Sequence, residues 1–284
     1  MSTISMTPER LDALCKRADQ HKYDHGSALV LTGPALRTGA ARLAARAALR
    51  VGAGLVTLGA PRDALPECTA QISALMLREV SEPLDLTLML ADDPRINVIC
   101  LGPGFGLERE NTDMLRTVLT CGTPCVLDAD ALTLMAEDRD LVTLLHKDCV
   151  LTPHAGEFRR LFPGLGEDRQ AFSRAEKEDA TWRAAEQTGA VVLYKGAVTT
   201  VANPDGVTAL DTRDRPGCAW LATAGAGDVL SGMIAGLMAR GLRPFEAAQT
   251  GALLHAQAAE AVGPGLIAED LPEALPAVFK ALGI

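Results

Sequence analysis

Short runs of apolar residues alternate with longer stretches of helical periodicity along most of the chain. Six runs with few polar residues have the length of a strand: residues 28–31, 54–58, 97–101, 124–127, 149–151 and 191–194. Such continuous runs are typical of strands buried on both faces of a parallel sheet. Helical stretches at 40–50 and 111–120 are long enough for crossover connections. The pattern predicts an α/β fold with three layers, in which helices cover both faces of a mostly parallel sheet.

The pattern changes after residue 194. Residues 198–202 and 207–210 flank Asn203-Pro204-Asp205-Gly206, a turn sequence, and predict a late antiparallel hairpin. Three helical stretches follow, at 228–240, 244–262 and 272–282. Because no linker or low-complexity tract divides the chain, we expect one domain over residues 1–284.

Charge and composition narrow the classes of function. The 284 residues include 27 Lys and Arg against 36 Asp and Glu, a formal net charge of −9. A broad nucleic-acid surface or a polybasic membrane anchor needs clustered positive charge. Proteins that bind single-stranded nucleic acid also use aromatic rings for stacking, and aromatic residues make up only 4% of the chain. No apolar run reaches the roughly 18 residues of a membrane span, and the first 24 residues lack the apolar core of a signal peptide. We therefore expect neither nucleic acid nor a membrane as a partner.

Cysteine usage indicates the redox compartment. The seven cysteines are odd in number, dispersed and mostly set among apolar residues, which favours free thiols in a reducing cytoplasm. Cys121 and Cys125 are four residues apart, but no second Cys or His pair accompanies them at the spacing of a zinc site.

The sequence Thr-Ala-Gly-Ala-Gly-Asp at residues 223–228 precedes a long helical stretch. The first N–H groups of a helix are unpaired and carry partial positive charge, so this segment predicts an anion site. A carboxylate there would repel phosphate, but Asp228 could take a proton from a hydroxyl that attacks a phosphoryl group. The alternative is that Asp228 is only an N-cap. Gly232 and Gly236, one turn apart in the following helix, predict close packing against the sheet.

Polar residues also follow the predicted strands. Asp128 and Asp130 could hold Mg²⁺, although alternate residues beyond a strand point in opposite directions and one of them could merely cap a helix. His154 follows Pro153 at the end of a predicted strand, and a loop histidine in this place indicates a ligand contact rather than a packed core residue. Lys195 could attract phosphate as a point charge, while a solvated lysine would give the same pattern. His255 lies among Ala and Leu in a helical stretch, and we expect a core histidine with satisfied hydrogen bonds.

Six segments, in this order and spacing, resemble the ADP/ATP-dependent NAD(P)H-hydrate dehydratases, ribokinase-like enzymes that repair hydrated nicotinamide cofactors. They are residues 39–57, 101–106, 127–132, 151–157, 195–199 and 223–228. The resemblance covers about residues 26–262 and implies a ribokinase-like fold.

The resemblance also implies a role for each matching residue. Asp228 would be the catalytic base and would contact the substrate. The hydrated dinucleotide would lie against Ala40, Gly104, Gly106 and His154. The adenine nucleotide would lie against Lys195, Gly196, Ala197, Val198, Thr199, Gly225, Ala226 and Gly227. Asp128 and Asp130 remain the candidates for a metal.

The activity implied by the resemblance is dehydration of the S-epimer of hydrated NADH or NADPH, with ADP or ATP as phosphoryl donor and Mg²⁺ as metal. Such enzymes are cytoplasmic, and the resemblance suggests a homotetramer. Epimerisation of the hydrate often occupies a separate N-terminal domain in the family. Because only about 25 residues precede the match, we expect that activity to come from another chain.

Two segments differ from the family's usual pattern and keep other functions open. Pro34 and Arg37 stand near positions where the family usually has Ser and Tyr, and residues 223–228 are closer to the sugar-kinase form. A kinase acting on a hydroxymethyl or hydroxyethyl vitamin precursor or a sugar is one alternative, and a non-catalytic nucleotide-binding regulator is another. An NAD-dependent dehydrogenase is disfavoured, because residues 102–106 lack the spacing of the dinucleotide-binding motif; no Walker A sequence is present either.

Overall fold

The chain folds around one sheet of ten strands, seen in a computed structural model that describes residues 2–165 and 173–284. The strands are β1 (Ser2–Thr3), β2 (Ser27–Leu31), β3 (Leu55–Ala60), β4 (Met76–Glu79), β5 (Ile96–Leu101), β6 (Cys125–Leu127), β7 (Cys149–Leu151), β8 (Val191–Tyr194), β9 (Val198–Asn203) and β10 (Gly206–Asp211). Their order is β1-β10-β9-β8-β7-β6-β5-β2-β3-β4. Of these strands only β9 runs antiparallel to the rest, and with β10 it forms the expected late hairpin.

Helices cover both faces of this sheet. The described helices are α1 (Pro8–Leu14), α2 (Gly39–Arg50), α3 (Leu65–Gln71), α4 (Pro83–Asp92), α5 (Arg109–Thr120), α6 (Asp130–Glu137), α7 (Ala155–Leu161), α8 (Arg174–Thr188), α9 (Ala226–Ala239), α10 (Pro244–Val262) and α11 (Asp270–Ala281). One hydrophobic core lies between the sheet and α2, α9, α10 and α11, and a second lies between the sheet and helices α4 to α8. The expected three-layer α/β/α fold is confirmed.

The inner parallel strands are mostly apolar because both of their faces are covered. In β2, Ala28 and Val30 belong to one core, whereas Leu29 and Leu31 belong to the other, and all five residues of the strand are buried. Successive side chains of a strand point to opposite faces, so a strand between two helical layers needs apolar residues at every position.

Helices α2 and α9 pack together closely, through small residues. A Cβ atom at Gly232 would lie 2.0 Å from the carbonyl oxygen of Ala44, and one at Gly236 would lie 2.5 Å from that of Ala48. Our expectation that these two glycines face the sheet was therefore wrong, since both of them face α2. The contact brings α2 against the helix that begins at the candidate anion site.

Two further expectations can be compared with the fold. No helix among the described residues combines the length and apolar character needed to span a membrane. All seven cysteines are free thiols, five of them buried.

Substitution of Gly232 by Ala tests the contact between α2 and α9. The added methyl group would meet backbone atoms, which cannot move aside by a change of rotamer, so we expect a loss of about 2–3 kcal/mol in the free energy of unfolding. Gly206→Ala is the matched control, because a Cβ there would meet nothing within 4 Å. Urea denaturation measures both variants, and equal stabilities would contradict the packing described here.

Candidate functional site

The candidate residues converge where the parallel strands end. Asp128 directly follows β6, Lys195 directly follows β8, and His154 lies three residues beyond β7. Residues 102–106 follow β5, and the start of α9 lies against the same edge of the sheet. Ligands of open α/β sheets bind at this edge.

An ion pair between Asp128 and Lys195 lies at the centre of the site. Lys195 Nζ donates to Asp128 Oδ1 at 2.7 Å, and the two side chains are 19% and 1% exposed. A Cβ at Gly227 would lie 3.2 Å from Lys195 Nζ and 3.9 Å from Asp128 Oδ2. The ammonium therefore lies beside the start of α9. Lys195 is thus not the solvated lysine that the sequence left as an alternative.

The helix α9 begins two residues earlier than we expected. Its N-cap is Gly225, in the left-handed conformation with φ of 89°, and no side chain caps the helix. Ala226 N–H reaches the carbonyl oxygen of Thr223 at 3.5 Å. Within the described chain, the N–H groups of Gly227 and Asp228 have no partner, as expected for a first helical turn. The predicted anion site therefore has two free donors.

Asp228 is the third residue of α9, so the interpretation of this residue as the N-cap was wrong. Its carboxylate forms no hydrogen bond within the part of the chain that the structure describes. Burial, followed by repulsion from Asp128, raises the pKa of Asp228 to about 6; Asp130 and Glu157 add to the shift and Lys195 opposes it. Such a carboxylate is a good proton acceptor near neutral pH.

The positive charge of Lys195 is stabilised by its surroundings. Burial alone would lower the pKa of this ammonium, but Asp128 and Glu157 outweigh that effect and hold its pKa above the ordinary value. Lys195 therefore stays protonated beside the free amides of α9 and adds a full charge to the anion site.

Residues 128–130 contain an unusual backbone conformation. Ala129 has φ of 46°, one of two non-glycine residues with positive φ among those described. Beyond it Asp130 Oδ2 accepts a hydrogen bond from Gly106 N–H at 2.8 Å. Helix α6 begins at Asp130 after the N-cap Ala129, and no side chain caps it, so the alternative that one of the two aspartates merely caps this helix was wrong. Strained residues of this kind cluster at functional sites.

Two loops approach each other beside this carboxylate cluster. A Cβ at Gly33 would lie 2.1 Å from the carbonyl oxygen of Gly104, and one at Gly104 would lie 3.4 Å from the Cβ of Ala40. A cavity of about 340 Å³ opens next to them, lined by Arg37, Gly104, Leu107, Glu108 and Asp130. Arg37 Nη1 lies 3.8 Å from Glu108 Oε1 across the cavity. Of the residues assigned to the hydrated dinucleotide, Gly104 lines this opening and Ala40 lies beside Gly104, while His154 lies at a neighbouring strand end.

His154 and Glu157 form a reciprocal cap at the start of α7. His154 Nδ1 accepts from the N–H groups of Gly156 and Glu157 at 2.9 and 3.2 Å. Glu157 Oε2 accepts from His154 N–H at 2.7 Å. The cap fixes the imidazole, whose side chain is 57% exposed and whose Nε2 lies 3.5 Å from Glu157 Oε1.

The segment of residues 195–199 connects β8 to β9 and is tied on several sides. Lys195 N–H donates to the carbonyl oxygen of Pro153 at 2.9 Å, and Thr199 Oγ1 donates to that of Gly196 at 3.0 Å. From beneath, Lys177 Nζ donates to the carbonyl oxygens of Lys195 and Val198 at 2.9 and 2.6 Å. The sequence analysis missed Lys177, because a lysine inside a charged helical stretch has no distinguishing signal.

His255 is a buried histidine with a hydrogen bond, as expected, but its partner belongs to the site. Its Nε2 lies 2.9 Å from the carbonyl oxygen of Ala226, the first residue of α9. Burial lowers the pKa of His255 to about 4, so the ring is neutral at neutral pH. The contact ties α10 to the start of the anion-site helix.

Comparisons with known proteins agree with this arrangement. The family model for NAD(P)H-hydrate dehydratase matches residues 28–275. The ADP-dependent (S)-NAD(P)H-hydrate dehydratase of Neisseria meningitidis serogroup B is 38% identical over 90% of this chain and 86% of its own length. The ADP/ATP-dependent NAD(P)H-hydrate dehydratase from Bacillus subtilis, crystallised with ATP and Mg²⁺, is 28% identical over 97% of each chain, with a TM-score of 0.78.

A ribokinase-like superfamily protein from Enterococcus faecalis has the same fold. It superimposes with a TM-score of 0.78 at 23% identity, over 96% of this chain and 94% of its own, which confirms the ribokinase-like architecture. The chain spans about half the length of the bifunctional NAD(P)H-hydrate repair enzymes that it also matches. The family model and the Neisseria relative, by contrast, cover nearly the whole region that forms the fold and the site. The chain therefore belongs to the NAD(P)H-hydrate dehydratase family.

Proposed function

We propose that this chain dehydrates the S-epimer of hydrated NADH or NADPH, with ADP or ATP as phosphoryl donor. The observation that carries the proposal is the carboxylate of Asp228, which is half-buried and forms no hydrogen bond within the described chain, beside two free helix amides and the Lys195 ammonium. An anion site attracts a phosphate, and a free base next to it serves a hydroxyl that attacks that phosphate. The names of the Neisseria and Bacillus relatives support this substrate and this donor.

The first step transfers a phosphoryl group to the substrate. The hydrate carries a hydroxyl at C6 of its reduced nicotinamide ring. Asp228 orients this hydroxyl and takes its proton as the oxygen attacks the terminal phosphoryl group of the nucleotide. The N–H groups of Gly227 and Asp228, together with Lys195, stabilise the negative charge of the transferring group.

The second step eliminates phosphate. Phosphorylation turns a poor leaving group into a good one, so the lone pair of the ring nitrogen can expel phosphate as the bond between C6 and oxygen breaks. Loss of a ring proton then restores the reduced nicotinamide. With ADP as donor, the products are NADH or NADPH, AMP and inorganic phosphate, and the water of the hydrate is consumed in phosphate formation.

The residues of the site fit a Mg²⁺ ion that is held mainly by phosphates and water. No cluster of three metal-ligating side chains occurs in residues 2–165 and 173–284, which excludes an all-protein cage there. Mg²⁺ at phosphate sites needs only one or two carboxylates. Asp128 retains Oδ2 on the side of Gly227, whereas Asp130 Oδ2 is bound to Gly106. Asp128 would therefore hold the metal, whose role is to neutralise charge on the phosphates.

The dinucleotide would enter at the cavity beside Ala40 and Gly104. The cavity volume of about 340 Å³ suffices for only part of the dinucleotide, so the remainder of the substrate would lie over the exposed loops. Arg37 lines this cavity at the position where the family usually has Tyr, and its charge suits a phosphate group of the dinucleotide. Gly106 and His154 would complete the substrate contacts, and residues 195–199 with 225–227 would hold the adenine nucleotide.

The proposal also includes the preferred nucleotide, the cellular compartment, the oligomeric state and the source of the S-epimer. The name of the Neisseria relative favours ADP as the preferred donor. The free thiols are consistent with the reducing cytoplasm. The resemblance suggests a tetramer, and a separate hydrate epimerase would supply the S-epimer.

Nucleotide-dependent recovery of NADH tests the proposed reaction. Purified protein, Mg²⁺, ADP or ATP and NADH hydrate should restore the absorbance of the reduced nicotinamide, with one inorganic phosphate released for each NADH formed. Omission of the nucleotide is the control. A stable phosphorylated product without released phosphate would identify a small-molecule kinase instead.

Substitution of Asp228 by Asn tests its role as the base. We expect turnover to fall by about two to four orders of magnitude with little loss of ADP affinity, because only proton transfer is removed. Asp85→Asn is the matched control, since Asp85 is also the third residue of a helix and accepts from the N–H groups of Ser81 and Glu82. Asp85→Asn should lower stability and leave turnover unchanged. Equal turnover of the two variants would contradict a catalytic Asp228.

The pH profile tests the raised pKa of Asp228. The base must be deprotonated, so kcat/KM should be level above about pH 7, be half of that value near the pKa of about 6, and fall about tenfold for each pH unit below about pH 5. Initial rates between pH 4.5 and 8 measure this limb, and Asp85→Asn should show the same profile. A rate that stays level down to pH 5 would contradict the assignment of the base.

A further inference from the structure

Lys177 is a buried ammonium directly beneath the segment of residues 195–199. It belongs to α8 and is 9% exposed. Its two hydrogen bonds go to the carbonyl oxygens of Lys195 and Val198, and its Nζ lies 3.9 Å from the centroid of the Tyr194 ring. Its ammonium therefore contacts the end of β8, the start of β9 and the connection between them.

These hydrogen bonds orient the connection. In a planar trans peptide the C=O and N–H groups point in opposite directions. Because the carbonyl of Lys195 points down to Lys177, the N–H of Gly196 in the same peptide points away from the core. Gly196 itself is exposed, with φ of 152°, and a Cβ at this position would lie 2.9 Å from Lys177 Nζ. By holding the carbonyl group of Lys195, the ammonium thus leaves the N–H group of Gly196 on the outer side of the connection.

A charge in this position is costly to the fold. Burial lowers the pKa of Lys177 to about 8, and a well-packed apolar side chain commonly replaces a buried charge without loss of stability. Lys177 Nζ is a donor that the carbonyl oxygens of Lys195 and Val198 share, so an apolar residue would remove this hydrogen bond from both of them. The ring of Tyr194 adds a favourable contact with the cation and stacks on Phe158 at 4.3 Å.

We infer that Lys177 is a positioning residue for the adenine nucleotide, because it holds the peptide of Lys195 and Gly196 in the orientation that binds the ligand. The inference rests on the proposed function, in which residues 195–199 contact the nucleotide. Lys177 does not touch the reacting groups, so it acts on binding of the nucleotide and leaves the chemical step unchanged.

Replacement of Lys177 by Met tests the inference. Met keeps most of the side-chain volume and removes the donors. We expect the KM and Kd for ADP to rise about tenfold to a hundredfold, as for the loss of charged hydrogen bonds, while kcat at saturating ADP changes by less than about threefold. Lys177→Arg keeps the charge and the donors and should restore part of the affinity. If Lys177→Met does not fold, Lys177→Gln, which keeps a donor at shorter reach, replaces it.

Thr181→Val is the matched control on the same helix. Thr181 lies one turn further along α8, is fully buried, and shares a hydrogen bond of 2.6 Å with Thr200. Loss of this hydrogen bond should lower the free energy of unfolding without changing the affinity for ADP. If Lys177→Met raises the Kd no more than Thr181→Val at a similar loss of stability, Lys177 is only a core residue and the inference is wrong.

Calorimetric titration of ADP separates this inference from the proposed function. If the wild-type protein binds ADP but does not convert NADH hydrate, the proposed reaction fails while the comparison of Kd values still decides the role of Lys177. If the wild-type protein binds no adenine nucleotide, both fail.

Discussion

The site depends on the ion pair between Lys195 and Asp128. Four carboxylates, those of Asp128, Asp130, Glu157 and Asp228, lie close enough to influence one another at one edge of the sheet. The Lys195 ammonium opposes their mutual repulsion and joins residues 67 positions apart, at the ends of β6 and β8. Without it Asp228 would be protonated more easily, because Lys195 opposes the rise in the pKa of this carboxyl. The lysine thus helps to keep Asp228 ionised beside the free N–H groups at the start of α9.

Small residues also shape the site, because they allow close approaches of the backbone. Glycines allow α9 to approach α2, allow residues 33 and 104 to meet, and leave the amides at the start of α9 uncovered. These close approaches need no aromatic side chains, which are scarce in the chain. The net charge of −9 is also compatible with anionic ligands, because helix amides and a single lysine supply the local positive field that the formal charge does not count.

The sequence predicted the parts of the molecule in which one physical requirement dominates. The buried strands and the late hairpin are of this kind. It did not reveal β4, an edge strand that is mostly exposed and lacks an apolar run, or the short helices α6 and α7. The element that Gly232 and Gly236 face could not be predicted either. Glycines one turn apart in a helix predict close packing, but they do not specify the element that packs against them.

Within the site, tertiary contacts decided what the sequence could not. Ala129 has a positive φ that no residue pattern predicts, and it lies between Asp128 and Asp130, whose charges contribute to the raised pKa of Asp228. His255 was expected to be a core histidine, but only the fold shows that it ties α10 to the start of α9. Lys177 was missed for the same reason, since its partners are carbonyl groups 18 and 21 residues away.

The fate of the hydroxyl oxygen tests the central claim most directly. NADH hydrate with ¹⁸O at the C6 hydroxyl can be converted with unlabelled ADP, and the released phosphate examined by ³¹P NMR. Attack of this oxygen on phosphorus, followed by cleavage of its bond to C6, predicts one ¹⁸O atom in each molecule of inorganic phosphate. Label found in water, with unlabelled phosphate, would show that the hydroxyl leaves without phosphorylation and would contradict the account.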